Sequence, residues 1–182
     1  MRKLLATIIL IWPLLAFCNQ NDVLSAITDG AEYTHMTKTL MIQIAKKEST
    51  FNPNAKNRLS GATGLFQVVD NTWDYLVATY GEAYKLTPEG RTDAYIATVG
   101  AGLLLREYRT RLERVLHRPV TNKEVYLAYF AGPGTAIHLL SADSSTDIED
   151  VLNSASIRAN PDLRGLSVGE AISVITRGID NE

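Results

Sequence analysis

Apolar side chains recur at every third or fourth position along most of the chain, the spacing that gathers them on one face of an α-helix. Asp22 opens a short helix carrying Val23, Ala26 and Ile27. A second, from about Thr37 to Lys47, lines up Leu40, Met41, Ile44 and Ala45. Asp70 or Asn71 caps a third, with Trp73, Leu76, Val77 and Tyr80 at i, i+3, i+4 and i+7, and Gly81 closes it. Thr92 to Leu116 is the longest periodic segment; its stripe is Ile96, Val99, Leu103, Leu104, Tyr108, Leu112 and Val115. Gly100 and Gly102 lie inside it, where each costs about 1 kcal/mol relative to alanine. They point to close approach by another helix or a ligand.

Later punctuation is equally local. Thr121-Asn122-Lys123-Glu124 is a capping box for a helix through Phe130 that ends at Gly132-Pro133-Gly134. A short helix over Thr135–Leu140 and a polar loop from Ser141 to Thr146 follow. Ser167-Val168-Gly169-Glu170 is a second capping box, starting a helix to Arg177 that Gly178 stops. Between the second and third helices, Ser49 to Gly64 is rich in Asn, Pro and Gly and reads as a long ordered loop. Alternating strand patterns are nearly absent. The fold class is therefore all-α.

The first eighteen residues break this pattern. Arg2 and Lys3 precede a run from Leu4 to Phe17 interrupted only by Thr7 and Pro13. That is the layout of a secretory leader, and it is shorter than the roughly 20 apolar residues of a membrane span. Ala16 and Cys18 are suitably small for cleavage after Cys18. Lipid attachment at Cys18 and a retained anchor are the alternatives. The reading is an exported protein of the periplasm or cell envelope: a leader or anchor over 1–18 and one domain over 19–182.

Composition narrows the classes. The 182 residues suit one domain. Eighteen Lys and Arg against twenty Asp and Glu give a net charge of −2, which argues against nucleic acid as partner. A single cysteine excludes an internal disulfide framework. His35, His117 and His138 are isolated and lack metal-ligand spacing, so no metal or cofactor is expected. The chain has no GxSxG or SxxK for a serine nucleophile. Arg106, Arg109, Arg111, Arg114 and Arg118 crowd one helix; pairing with Glu107 and Glu113 on a solvated face is the simplest reading, and attraction to anionic polymers is the alternative.

One carboxylate stands out. Glu48 ends an apolar-faced helix, where the macrodipole disfavours negative charge, and Ile44 lies one turn back on the same face. Partial desolvation there would raise its pKa, as a general acid requires. Spacing alone leaves open that it is a solvated glutamate beside Lys46 and Lys47.

The surrounding blocks favour the chemical reading. Glu48-Ser49, Phe51-Asn52-Pro53-Asn54-Ala55, Gly61-Ala62-Thr63-Gly64-Leu65-Phe66-Gln67 and Ala128-Tyr129-Phe130-Ala131-Gly132, in that order, resemble the soluble lytic transglycosylase family of the lysozyme-like superfamily. The likeness covers about Met36 to Leu140, leaving 141–182 as a helical extension. It is nearest to a branch found in phage and mobile-element proteins, with Thr72-Trp73 after the glutamine. Phe130 stands where the main family has Asn, and the Asn57–Ser60 loop carries an extra residue.

The resemblance implies a lysozyme-like helical domain with a cleft for peptidoglycan glycan strands. It implies Glu48 as acid and then base at the bond between N-acetylmuramic acid and N-acetylglucosamine, with a 1,6-anhydro product. Substrate contacts would come from Ser60, Phe66, Gln67 and Tyr129, with Tyr129 orienting the glutamate or the substrate. Gly61 and Gly64 would let the backbone approach a sugar. The protein is expected to act as a monomer, alongside secretion or pilus machinery. The alternatives are a goose-type hydrolytic lysozyme or endolysin, and a non-catalytic peptidoglycan-binding protein.

Overall fold

The architecture is organised around one long helix that is buried on every side for much of its length. A computed structural model describes residues 20–181; the expected leader lies outside the described residues. In chain order the helices are α1 (Gln20–Tyr33), α2 (Lys38–Ser49), α3 (Asp70–Tyr84), α4 (Ala94–Leu116), α5 (Asn122–Ala131), α6 (Pro133–Ser141), α7 (Ile148–Val151), α8 (Ser154–Ala159) and α9 (Val168–Ile175). Short 3₁₀ turns occupy Pro88–Thr92 and Pro161–Leu163. Among the described residues there is no strand, only isolated bridges such as Lys56 with Thr63 and Thr63 with Val68. The fold is all-α and lysozyme-like.

From Ala97 to Leu105 every residue of α4 is buried. The apolar stripe read from the sequence is thus only part of its contact surface, because neighbours enclose α4 all round. The close approaches run both ways. A Cβ on Gly30 of α1 would stand 2.8 Å from Thr98, and one on Gly102 of α4 would stand 2.3 Å from the Thr34 hydroxyl. A Cβ on Gly100 would meet the Trp73 ring at 2.5 Å. These glycines serve helix packing and not a ligand. Trp73 is a core residue whose indole N–H donates to the Thr87 carbonyl at 3.0 Å.

Several boundaries differ from the sequence reading. The cap of α3 is Val69, without a side-chain cap, because Asp70 is drawn off to Arg91 at 2.6 Å. Gly81 does not stop α3, which continues to Tyr84 and ends with Lys85 in the left-handed region. The Tyr84 ring packs edge-on against Tyr80 and Tyr33, and those contacts hold the extra turn. Asp93 caps α4, accepting from the Tyr95 and Ile96 N–H groups. Both capping boxes form. The last helix ends at Ile175, short of Arg177, although Gly178 does turn the chain at φ +83°. Two short helices that periodicity did not reveal, α7 and α8, are capped by Asp147 and Asn153.

The chain beyond α9 returns to α2. Ile179 is buried, Gln43 exchanges hydrogen bonds with Asp180, and the Lys47 ammonium donates to the Arg177 carbonyl at 3.1 Å. This latch bears on the helix that carries Glu48.

Candidate active site

Glu48 occupies the last turn of α2, and the turn that follows fixes its direction. Thr50 and Phe51 both adopt left-handed backbone, at φ 53° and 62°. Their N–H groups return to the Lys46 and Ala45 carbonyls, closing the helix end. The Glu48 carboxyl is thereby aimed at α5, where the buried Tyr126 hydroxyl donates to its Oε1 at 2.8 Å. The Lys47 ammonium lies over the same Tyr126 ring, 5.7 Å from its centre.

Burial pushes the Glu48 pKa above the ordinary glutamate range; the Tyr126 hydrogen bond and the Lys47 charge offset this only in part. The carboxyl sits in an open groove of about 260 Å³ walled by Gln67, Thr72, Tyr108, Tyr129 and Phe130. No other carboxylate lines it among the described residues. Nor do the described residues contain a group of three His, Cys, Asp or Glu side chains arranged to hold a metal.

The loop from Thr50 to Val69 forms one wall, organised by its own backbone. Asn57 Oδ1 accepts from the Leu59 and Ser60 N–H groups, and Gly64 N–H donates to Ala55. Arg91 clamps the loop's end: it donates to the Val68 carbonyl at 3.0 Å and pairs with Asp70. Gln67 sits at φ 48° with Nε2 donating to the Ala55 and Gly64 carbonyls. Its Oε1 accepts no hydrogen bond among the described residues, so the amide's acceptor end remains for a ligand in the groove.

Of the residues singled out from sequence, Glu48, Gln67 and Tyr129 meet in the groove. The other placements require correction. Phe66 is 1% exposed and packs in the core; it does not line the cleft, and it contributes its carbonyl, which accepts from the Tyr129 hydroxyl. The Tyr129 hydroxyl is therefore engaged away from Glu48. Its ring stacks on Tyr126 at 6.4 Å and presents an apolar wall. Ser60 is exposed at the loop tip beside Leu59, outside the groove lining, and its Oγ accepts from Ala62 N–H. Gly64 gives room to the Arg91 carbonyl, which a Cβ would approach to 2.1 Å, and Gly61 faces Asp70 at 3.1 Å.

Tyr126 is the residue that sequence reasoning missed. The available signal was its position three before Tyr129, hence on the same face of α5. Tyr108 was read as part of the α4 stripe, but it is only partly buried and borders the groove. Among the described residues no ion pair joins the α4 arginines to Glu107 or Glu113. Glu107 Oε1 instead accepts from the Tyr75 and Tyr80 hydroxyls.

A helical domain of lysozyme-like fold thus holds one desolvated carboxyl over an open groove. Residues 25–152 match the Transglycosylase SLT domain family, and the chain belongs to that family. Its activity is accordingly of the lytic transglycosylase type, directed at peptidoglycan.

Proposed function

We propose that the protein cleaves the β-1,4 bond between N-acetylmuramic acid and N-acetylglucosamine with Glu48 as acid and then base. The observation that carries the reading is the Glu48 carboxyl itself. It is desolvated, raised in pKa, held by Tyr126, and alone among the carboxylates at the groove. A two-carboxylate mechanism needs a partner about 5–10 Å away. A lone acid suits a reaction in which the substrate supplies the second functional group.

Protonated Glu48 gives its proton to the bridging oxygen as the bond from that oxygen to the muramyl anomeric carbon breaks. The neighbouring acetamido carbonyl shares the positive charge. The Glu48 carboxylate then takes the proton of the C6 hydroxyl, O6 bonds to the anomeric carbon, and the acetamido group is released. No water is consumed, and Glu48 ends protonated as it began. Gln67 Oε1 is placed to accept from a sugar N–H or hydroxyl, and the Tyr129 and Phe130 rings supply apolar walls. The leader read in residues 1–18 would deliver the enzyme to the cell envelope, where opening of the wall serves a secretion or pilus assembly.

Digestion of purified sacculi tests the reading. Anhydro-muropeptides should appear with wild-type protein and vanish with Glu48→Gln. Products heavier by one water, with reducing ends, would mean hydrolysis. Binding of sacculi without turnover at any pH would refute the enzymatic assignment.

A further inference from the structure

The groove over Glu48 does not end at Tyr108. A second hollow of about 380 Å³ shares Thr72, Leu104 and Tyr108 with it and continues to Tyr75, Glu107 and Arg111. The shared residues put the two hollows side by side, with the acid at one end and the exposed side of α4 at the other.

At that far end Glu107 and Arg111 both line the hollow without forming an ion pair. Glu107 lies four residues before Arg111, the spacing at which an acid and an arginine on a helix ordinarily pair. Here Glu107 Oε1 instead accepts from Tyr75 at 2.9 Å and also from Tyr80. Arg111 has no ion-pair partner among the described residues. Three other arginines of this stretch differ: Arg109 donates to Asn122, Arg106 donates to Tyr84, and Arg118 pairs with Glu124. Of these four, Arg111 alone lines the second hollow. Tyr75, 46% exposed, bonds to Glu107 and lines the same hollow as Arg111. A planar donor fork is suited to a carboxylate on a sugar-borne substituent.

We infer that Arg111 binds a carboxylate carried by the part of the glycan strand lying beyond Tyr108, with Tyr75 as the wall against which that part rests. This builds on the reading of the groove as a glycan-strand site. The carboxylate has two sources: the peptide attached to a muramyl residue, or the lactyl group left when that peptide has been removed.

The test measures binding of the Glu48→Gln protein, with and without Arg111→Ala, to three preparations. These are sacculi bearing peptides, sacculi stripped by an amidase, and sacculi whose carboxylates have been capped as methylamides. Loss of Arg111 should weaken binding about fivefold on at least one of the first two, the range of a solvent-exposed ion pair. Arg111→Lys should recover part of the loss. The difference should vanish on the capped sacculi and shrink above about 0.5 M salt, where screening is nearly complete over a few ångströms. Loss confined to peptide-bearing sacculi assigns the peptide; loss on stripped sacculi assigns the lactyl group. Equal binding by the two proteins on both preparations overturns the inference, as does an undiminished loss on capped sacculi. Wild-type turnover, followed separately, reports on the glycan-cleaving reading. Absence of turnover would strike that reading and leave the Arg111 comparison decisive in its own right.

Discussion

Tyr126 donates its hydroxyl hydrogen to Glu48 Oε1 across 2.8 Å, tying the middle of α5 to the last turn of α2. The bond both aims the carboxyl and lowers its pKa against the larger effect of burial. Tyr126→Phe therefore leaves the acid less well fixed and more firmly protonated. In the proposed mechanism, acid catalysis by Glu48 is present below its pKa and lost as pH rises through it. The alkaline limb of the pH–rate profile should move to higher pH in Tyr126→Phe, while kcat at the optimum falls. Loss of the hydrogen bond should cost about 1 kcal/mol of stability, measured by denaturant unfolding.

Lys47 supplies the second influence that lowers the Glu48 pKa. Lys47→Met keeps the aliphatic stem and removes the charge. Its alkaline limb should also shift upward, with little change in Tm, because the ammonium is exposed. An unshifted profile would show that the charge is screened by solvent.

Glu48 itself should weaken the folded state at neutral pH. Its folded pKa is raised, so between the unfolded value, about 4.3, and the folded value the native protein binds more protons than the unfolded chain. Stability contributed by this group is thus fully present below about pH 4 and declines as pH rises through the folded pKa. Glu48→Gln does not titrate. Its Tm should exceed that of wild type at pH 7, and the gap should close in acid, as calorimetry across the pH range would record.

Gly64 and Gly178 share φ +83° but not surroundings. A Cβ at Gly64 would lie 2.1 Å from the Arg91 carbonyl, whereas one at Gly178 meets nothing within 4 Å. Gly178→Ala should cost only the left-handed backbone penalty, about 1–2 kcal/mol. Gly64→Ala should cost more than about 3 kcal/mol, or prevent folding, because backbone must move. It should also release the wall that carries Gln67. Comparing chemical denaturation of the two variants separates strain from collision.

The segment after α9 braces α2 through Ile179, Asp180 and the Arg177 carbonyl. Ending the chain after Thr176 should lower stability by about 1.5–3 kcal/mol, the value of burying one large aliphatic side chain. It also frees Lys47 from its carbonyl, so the pH–rate profile should move as the ammonium changes its distance from Glu48. Equal Tm and an unchanged profile would show that the latch is passive.

The sequence by itself determined what depends on neighbours a few residues apart. The two capping boxes need only four residues each, and Thr121 with Glu124 and Ser167 with Glu170 form them. The helical periods gave the class of the fold, and the ordered blocks from Glu48 to Gly132 pointed to the family that residues 25–152 match. Tertiary structure decided what depends on partners distant in the chain. Gly81 reads as a stop, yet ring packing among Tyr33, Tyr80 and Tyr84 carries α3 past it. Phe66 and Tyr129 both read as cleft residues, yet one ring is buried and the other's hydroxyl is spent on Phe66's carbonyl. Tyr126 reaches Glu48 across 78 positions, and Tyr75 takes Glu107 from Arg111 across 32. Periodicity reports which face of a helix is apolar, but not which neighbour fills it. A hydrogen bond or a close contact is settled only when the elements are packed against one another.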